Sequence, residues 1–402
     1  MTLRFGRELL AMPGPTTIPD VVLGAMHRPA IDIYAGELVG ITDSCLSDLK
    51  RVFKTRGQVY VYISNGHGAW EAAVSNTLSR GDRVLVLESG RFALGWAGMA
   101  ESMGVQVQVL PGDWRRAVDP NAVEQALRED AAHRIKAVMV VQIDTASGCV
   151  NDIPAIRAAM DAAGHPALLM VDTIASLATM PFEMDEWRVD VAVCGSQKGL
   201  MMPPGLGFVA ASARARAAYA DADLKSRYWD WAEREGSEHY QKYCGTPPEH
   251  MLFGLRRALD LLFEEGLDAA IERHRLLAGA VRAAVERWQR RGAFEFNILE
   301  ASQRANSVTT VRMREGHDPA PIVEFCKTRC GLVLGIGIGG LSGKAFRIAH
   351  MGHTNAPMVL GGLASIEVGL NALGVGSADG AVDGVQAATA YLGEQLGRTL
   401  AR

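Results

Sequence analysis

Residues 191–200 read "VAVCGSQKGL". Val191, Ala192, Val193 and Cys194 form a short apolar run, and Gly195 ends it. A run of this length bounded by glycine reads as a fully buried strand. Lys198 follows directly, although lysine is among the residues least often found fully buried. One reading is a lysine that snorkels out of the core with its stem covered. The other is an amine kept at a strand end for Schiff-base chemistry, its pKa lowered by burial and neighbouring charge.

Outward from this strand, similar runs alternate with helical stretches. "QVYVYIS" (58–64) precedes "HGAWEAAVSNTLS", and "RVLVLES" (83–89) precedes "RFALGWAGMAESMG". "VQVQVLP", "AVMVVQ" (137–142), "ALLMVD" (167–172) and "GFVAAS" (207–212) continue the pattern. Such alternation predicts an α/β domain around a mainly parallel sheet. Composition turns polar and aromatic near residues 215–250 and ends in Pro247-Pro248. Long helical stretches and a strand-like "SVTTVRM" follow. The expected organisation is an N-terminal arm over 1–20, a large domain over 21–249 and a smaller α+β domain over 250–402.

The chain has 402 residues, which favours two domains over one. Lys+Arg number 41 against 45 Asp+Glu, and no basic run stands out, so nucleic acid is a poor partner. The N-terminus has no apolar core of signal-peptide length, and no membrane span is expected. Six cysteines are scattered without a Cys-x-x-Cys pair, which points to a reducing, cytoplasmic setting. Cys326 and Cys330 lack further ligands nearby in sequence, so packing is expected there and no metal site.

Functional loops of parallel sheets gather beyond the carboxyl ends of the strands. In "SNGHGAWEA" (64–72) a strand ends at Ser64, a glycine turn follows, and a helix begins. Unpaired N–H groups and the helix dipole suit a phosphate there; taken alone, the stretch reads first as an ordinary tight turn. Asp172 ends "ALLMVD". It either caps the next segment or pairs with a protonated ring nitrogen, as a pyridoxal cofactor requires. Taken together, the order is phosphate turn, acid at a strand end, then lysine after the next strand.

That order resembles the fold type I, pyridoxal-phosphate-dependent class V aminotransferases, in the serine–glyoxylate and alanine–glyoxylate branch. "PGPTTIP", "SNGHGAWEAAVSNTLSRGDRVLV", "AGHPALLMVD", "GSQKGLMMPPGLG", "YCGTPPEHMLFGLRRAL" and "GKAFRIAHMG" carry the resemblance. It implies a large domain with a mainly parallel sheet and a smaller α+β C-terminal domain. It also implies pyridoxal 5′-phosphate linked to Lys198, with Asp172 facing the pyridine nitrogen. Ile174 and Phe92 would pack on the two ring faces. Ser64, Asn65, Gly66, His67 and Gln197 would lie around the phosphate, and Thr145 near the ring hydroxyl. Tyr243 and Thr246 would reach the phosphate of a neighbouring subunit, making the chain a homodimer. Arg347 would bind the substrate carboxylate, for which a guanidinium fork is suited.

Two stretches depart from the branch. It has a His-Arg pair where Ile33-Tyr34 follow Asp32, and His-Asn-Glu-Thr where this chain has Gln142-Ile143-Asp144-Thr145. Tyr34 is therefore a candidate to tune the amino donor, or simply interface packing. "GIGIGG" (335–340) reads as a flexible loop near Arg347 rather than a dinucleotide fingerprint. The resemblance implies ping-pong transfer of an amino group from serine or alanine to glyoxylate or pyruvate. Elimination or desulfuration on the same scaffold, with Cys244 the nearest thiol, and an idle binding protein are the alternatives.

Overall fold

The computed structural model describes residues 2–376 and 383–400. In chain order the strands are β1 (Leu9–Ala11), β2 (Gln58–Ser64), β3 (Arg83–Leu87), β4 (Gln106–Leu110) and β5 (Ile135–Val141). A two-residue ladder follows, β6 (Ile143–Asp144) with β7 (Cys149–Val150), then β8 (Leu168–Asp172), β9 (Val191–Gly195) and β10 (Gly205–Ala211). The C-terminal part adds β11 (Phe294–Phe296), β12 (Val308–Met313), β13 (Leu332–Ile336) and β14 (Ala345–Ala349).

The large sheet runs β2-β10-β9-β8-β5-β3-β4. Its members from β9 to β4 are parallel. β10, the strand read as "GFVAAS", is antiparallel to both β9 and β2. The link over 196–204 is shorter than the dozen or so residues a parallel crossover needs, so the chain turns straight back. Two reversals leave β2 parallel to β9. The carboxyl ends of β2, β3, β5, β8 and β9 thus share one edge. From β3 the chain steps outward to β4 and then returns to β5 on the other side. That reversal of winding opens a crevice at this edge.

Strand side chains alternate between two apolar layers, as a period of two demands. Leu85, Leu87, Val138, Val140, Leu169, Val171, Ala192 and Cys194 face one core. Val84, Val86, Met139, Met170, Val191 and Val193 face the other, where the helices Gly66–Thr77 and Arg91–Ser102 pack. Burial on both faces explains why these strands read as unbroken apolar runs.

The second sheet runs β1-β13-β14-β12-β11. The arm expected over 1–20 supplies β1, which pairs parallel with β13 through Leu9 and Leu332. The helix Glu249–Glu265 starts near the expected 249/250 division, yet packs Leu252, Leu255, Leu259 and Leu262 into the core with Leu49 and Phe53. Apolar spacing shows that a helix has an apolar face, not which sheet receives it. Among the described residues, no helix is long and apolar enough to cross a membrane.

Candidate active site

A cavity of about 300 Å³ lies at the carboxyl edge of the large sheet, where β14 of the second sheet approaches. Lys198 stands at its floor. Ser196 is pinned just before it by its N–H donating to Leu206 O (2.9 Å) and its hydroxyl donating to Pro203 O (2.6 Å). The lysine is 7% exposed, and Nζ donates to the carbonyl of Pro13. Burial lowers its pKa to about 8; the nearby Arg347 adds to this, while Asp172 and Asp144 oppose it.

Asp172 ends β8 and is 2% exposed. Oδ1 accepts from the Ile174 N–H at 2.7 Å, the local turn the sequence allows. Oδ2 accepts from the Trp70 indole N–H at 2.8 Å, which sequence reasoning missed. Burial pushes this carboxyl up to about 7, against both donors. One bond on each oxygen sets the orientation of the group, so capping and facing the cavity are compatible roles.

At the end of β2, Asn65 caps the helix Gly66–Thr77, its side chain accepting from the N–H groups of His67 (3.1 Å) and Gly68 (3.4 Å). A phosphate here would compete with that cap for the same donors. A β-carbon on Gly66 would stand 2.3 Å from Ile174 Cδ1, so a larger residue there would push on a cavity wall. Asn65, Gly66, His67, Ile174 and Gln197 all line the cavity. Gln197 Oε1 is buried without a partner.

Phe92 also lines the cavity, in the first turn of the helix Arg91–Ser102. Asp144 holds that turn, accepting from the N–H groups of Phe92 (2.7 Å) and Ala93 (3.2 Å). Its position in the departing Gln142–Thr145 segment thus has a structural use, which an acid amid apolar residues could have signalled. Thr145 lines the cavity, and its carbonyl accepts from Arg347 Nη1 at 2.9 Å. Arg347 Nε donates to Ile336 O at 2.7 Å. "GIGIGG" is therefore the end of β13 plus a short 3-10 turn over Gly339–Leu341, not a loop throughout. It does lie beside Arg347, and Ile338 reaches the cavity.

Ser64 and Tyr34 lie outside the cavity, as do Tyr243 and Thr246, whose expected place is at a neighbouring subunit's phosphate. The Ser64 hydroxyl donates to Asn65 O at 3.1 Å instead of facing a ligand. Tyr243 is 2% exposed and its hydroxyl shares a hydrogen bond with Thr42 Oγ1 at 2.8 Å. It lines a separate cavity with Tyr60 and Arg234. Thr246 is exposed. Tyr34 is 69% exposed and meets Tyr240 edge-on, with centroids 6.4 Å apart.

The residues present suit pyridoxal phosphate. The buried amine of Lys198 has a lowered proton affinity, and Asp172 offers a carboxylate for a ring N–H. Ile174 and Phe92 give apolar walls, and the helix Gly66–Thr77 begins at the phosphate end beside the Gln197 side-chain amide, which can donate through Nε2. A large sheet of this winding, with that set at its carboxyl edge, is the fold type I architecture of pyridoxal-phosphate-dependent enzymes. The chain belongs to the class V aminotransferases: the family model "Aminotransferase class-V" matches residues 20–340.

Relatives agree along nearly the whole chain. It is 41% identical to the serine–glyoxylate aminotransferase of Methylorubrum extorquens, over 98% of each chain. It is 37% identical to the L-aspartate–glyoxylate aminotransferase of Paracoccus denitrificans, covering 90% of this chain and 91% of that one. The crystal structure of pyridoxamine–pyruvate aminotransferase from Mesorhizobium loti superposes with a TM-score of 0.88 at 27% identity, covering 98% of this chain and all of the other.

Proposed function

We propose that this enzyme moves an amino group from a small neutral amino acid, serine or alanine, to a small 2-oxo acid, with glyoxylate ahead of pyruvate. The carrying observation is that Lys198, Asp172 and Arg347 meet in one cavity, the amine lowered to about 8 and the arginine buried. The glyoxylate-specific names of the relatives favour that acceptor. Lys198 and Arg347 are the only lysine and arginine lining the cavity among the described residues. Both have roles already, so this subunit offers no spare cation in the cavity for the side-chain carboxylate of aspartate.

Lys198 and Asp172 hold the cofactor, with Asn65, Gly66, His67 and Gln197 near its phosphate, Thr145 near its hydroxyl, and Ile174 and Phe92 along its faces. When bound, pyridoxal phosphate supplies an electron sink for charge developing at the substrate α-carbon. Arg347 orients the substrate by its carboxylate, using guanidinium N–H groups not spent on Ile336 and Thr145. The amine of Lys198, neutral in a sizeable fraction near its lowered pKa, takes the α-proton and later returns one. Ile338 and Pro13 add apolar lining that disfavours water beside these groups.

The working unit in this reading is a homodimer. Exposed Tyr34, Ile63, Tyr228 and Tyr240 support an apolar contact face, with Thr246 exposed as the group that reaches the neighbour's phosphate. A cytoplasmic location accords with six free cysteines. None of them lines the cavity of its own subunit, so no thiol of that subunit stands ready there for desulfuration.

The test is a matrix of donors and acceptors with the purified holoenzyme and its Lys198→Ala variant. Serine or alanine with glyoxylate should give the highest kcat/KM, and the variant should be inactive. Best turnover with aspartate, or no transfer to any 2-oxo acid, overturns the reading.

A further inference from the structure

Trp70 stands at the centre of the site, and none of the steps above uses it. It is fully buried, on the helix that begins at the phosphate turn. Its indole N–H donates to Asp172 Oδ2 at 2.8 Å, across 102 residues of chain. The ring has little freedom to turn. The His67 ring lies against it with centroids 4.5 Å apart, Trp96 stacks on it at 6.0 Å, and Phe92 meets it edge-on at 6.4 Å. Both His67 and Phe92 line the cavity, so the indole is wedged between two of its walls and the acid at its floor.

The other carboxylate oxygen accepts from the Ile174 N–H at 2.7 Å. One donor on each oxygen fixes the plane of the group and leaves a lone pair on each for a ligand. An indole N–H only donates and does not titrate in water. It therefore stabilises the ionised carboxylate and gives nothing to a carboxyl whose proton sits on Oδ2. This distinguishes it from a histidine or hydroxyl partner, which adapts to either state.

We propose that Trp70 is the positioning residue that keeps Asp172 ionised and aimed into the cavity, so that the carboxylate meets the ring N–H of the cofactor. The inference rests on reading the cavity as the pyridoxal phosphate site. The other groups that face Asp172 are the Lys198 amine, the Asp144 carboxylate and the Cys194 thiol, with His67 on the far side of the indole. Lysine favours ionisation of Asp172, and Asp144 opposes it. Burial already brings the carboxyl to about 7, so near neutral pH a single donor decides how much of it is charged.

The experiment is an infrared pH titration of the cofactor-free protein, following the protonated-carboxyl band that Asp172→Asn removes. Trp70→Phe keeps the aromatic area and loses the donor. Its midpoint should lie about one to two pH units above wild type, the size expected for a lost hydrogen bond to a charged group. In the holoenzyme the acid limb of kcat should move up in parallel while KM for the donor changes little. Equal midpoints in wild type and Trp70→Phe overturn the proposal.

A second measurement needs no variant at Trp70. In wild-type protein carrying 15N-labelled indoles, one of the seven tryptophan N–H signals should titrate with Asp172 and stop doing so in Asp172→Asn. The absence of any such signal also overturns the proposal. Wild-type protein that shows the coupled titration yet transfers no amino group defeats the functional reading instead, and leaves the Trp70–Asp172 link standing.

Discussion

Gly14 lies directly against the side chain of Lys198. A β-carbon on Gly14 would stand 2.6 Å from Lys198 Cε and 2.7 Å from Nζ, and its φ of +93° is one that favours glycine. The neighbouring Pro13 carbonyl accepts the lysine's hydrogen bond. The N-terminal segment thus shapes the reactive amine from a distance of 185 residues in sequence. Gly14→Ala should displace that amine and lower kcat at least tenfold, about 1.4 kcal/mol of barrier. Cofactor uptake, read by its visible absorption, should slow in parallel. A variant with wild-type kcat and uptake would show that the lysine tolerates the intrusion.

The pH dependence of stability in the cofactor-free protein should carry two opposite signatures. Asp172 holds its proton more tightly folded, at about 7, than at its ordinary 3.8. Its contribution is full below the lower value and is lost as pH rises through the higher one. Lys198 is lowered from 10.5 to about 8, so its charged form is disfavoured in the fold. Stability lost to that penalty returns as pH rises from about 8 to 10.5. Each slope is at most about 1.4 kcal/mol per pH unit. Thermal melts of wild type, Asp172→Asn and Lys198→Met check this: the first variant should flatten the fall on the acid side, the second the rise on the alkaline side.

Arg347→Ala should lower kcat/KM for serine, alanine and aspartate by a similar factor, of order a hundredfold, since losing one partner of a desolvated charged pair costs about 2–5 kcal/mol. Arg347→Lys should recover only part. It supplies charge without the fork: with donors directed at Ile336 O and Thr145 O it has no parallel pair of N–H groups left for a carboxylate. Steady-state kinetics with all three donors decides; unchanged values in Arg347→Ala place the carboxylate site elsewhere.

Shared sites in a homodimer predict complementation. Thr246→Glu should repel the neighbour's phosphate and weaken cofactor binding. Tyr243→Phe should affect cofactor binding little, because that hydroxyl is spent on Thr42. Mixing Thr246→Glu with Lys198→Ala subunits should restore part of the activity, since one site of each mixed dimer escapes both lesions. Proven subunit exchange without recovery would count against a shared site.

Tyr34 bears on donor choice only if it reaches the neighbour's cavity, being 69% exposed on its own subunit. Tyr34→Ala should then reorder kcat/KM among serine, alanine and aspartate while leaving the cofactor spectrum alone. An unchanged ranking makes the Tyr34–Tyr240 contact packing.

The residues legible in the sequence are those whose role follows from a local position. Lys198 and Asp172 each stand at the end of an apolar run, and in a parallel sheet such ends converge at one edge, so naming the strands places the residues. Asn65, Gly66 and His67 were legible because a helix start is a local event. The apolar runs themselves reported burial on both faces, because the pattern that makes a strand apolar throughout needs a layer on each side. The antiparallel turn of β10, the transfer of the helix Glu249–Glu265 to the first core, and β1's place in the second sheet were decided only in the folded molecule. So were the Trp70–Asp172 bond, the pressure of Gly14 on Lys198 and the inward commitment of Tyr243 to Thr42. Periodicity and capping act over a few residues and fix which face a side chain takes; sheet order and packing join segments a hundred or more residues apart, and no local pattern encodes which distant partner a given face or polar atom will meet.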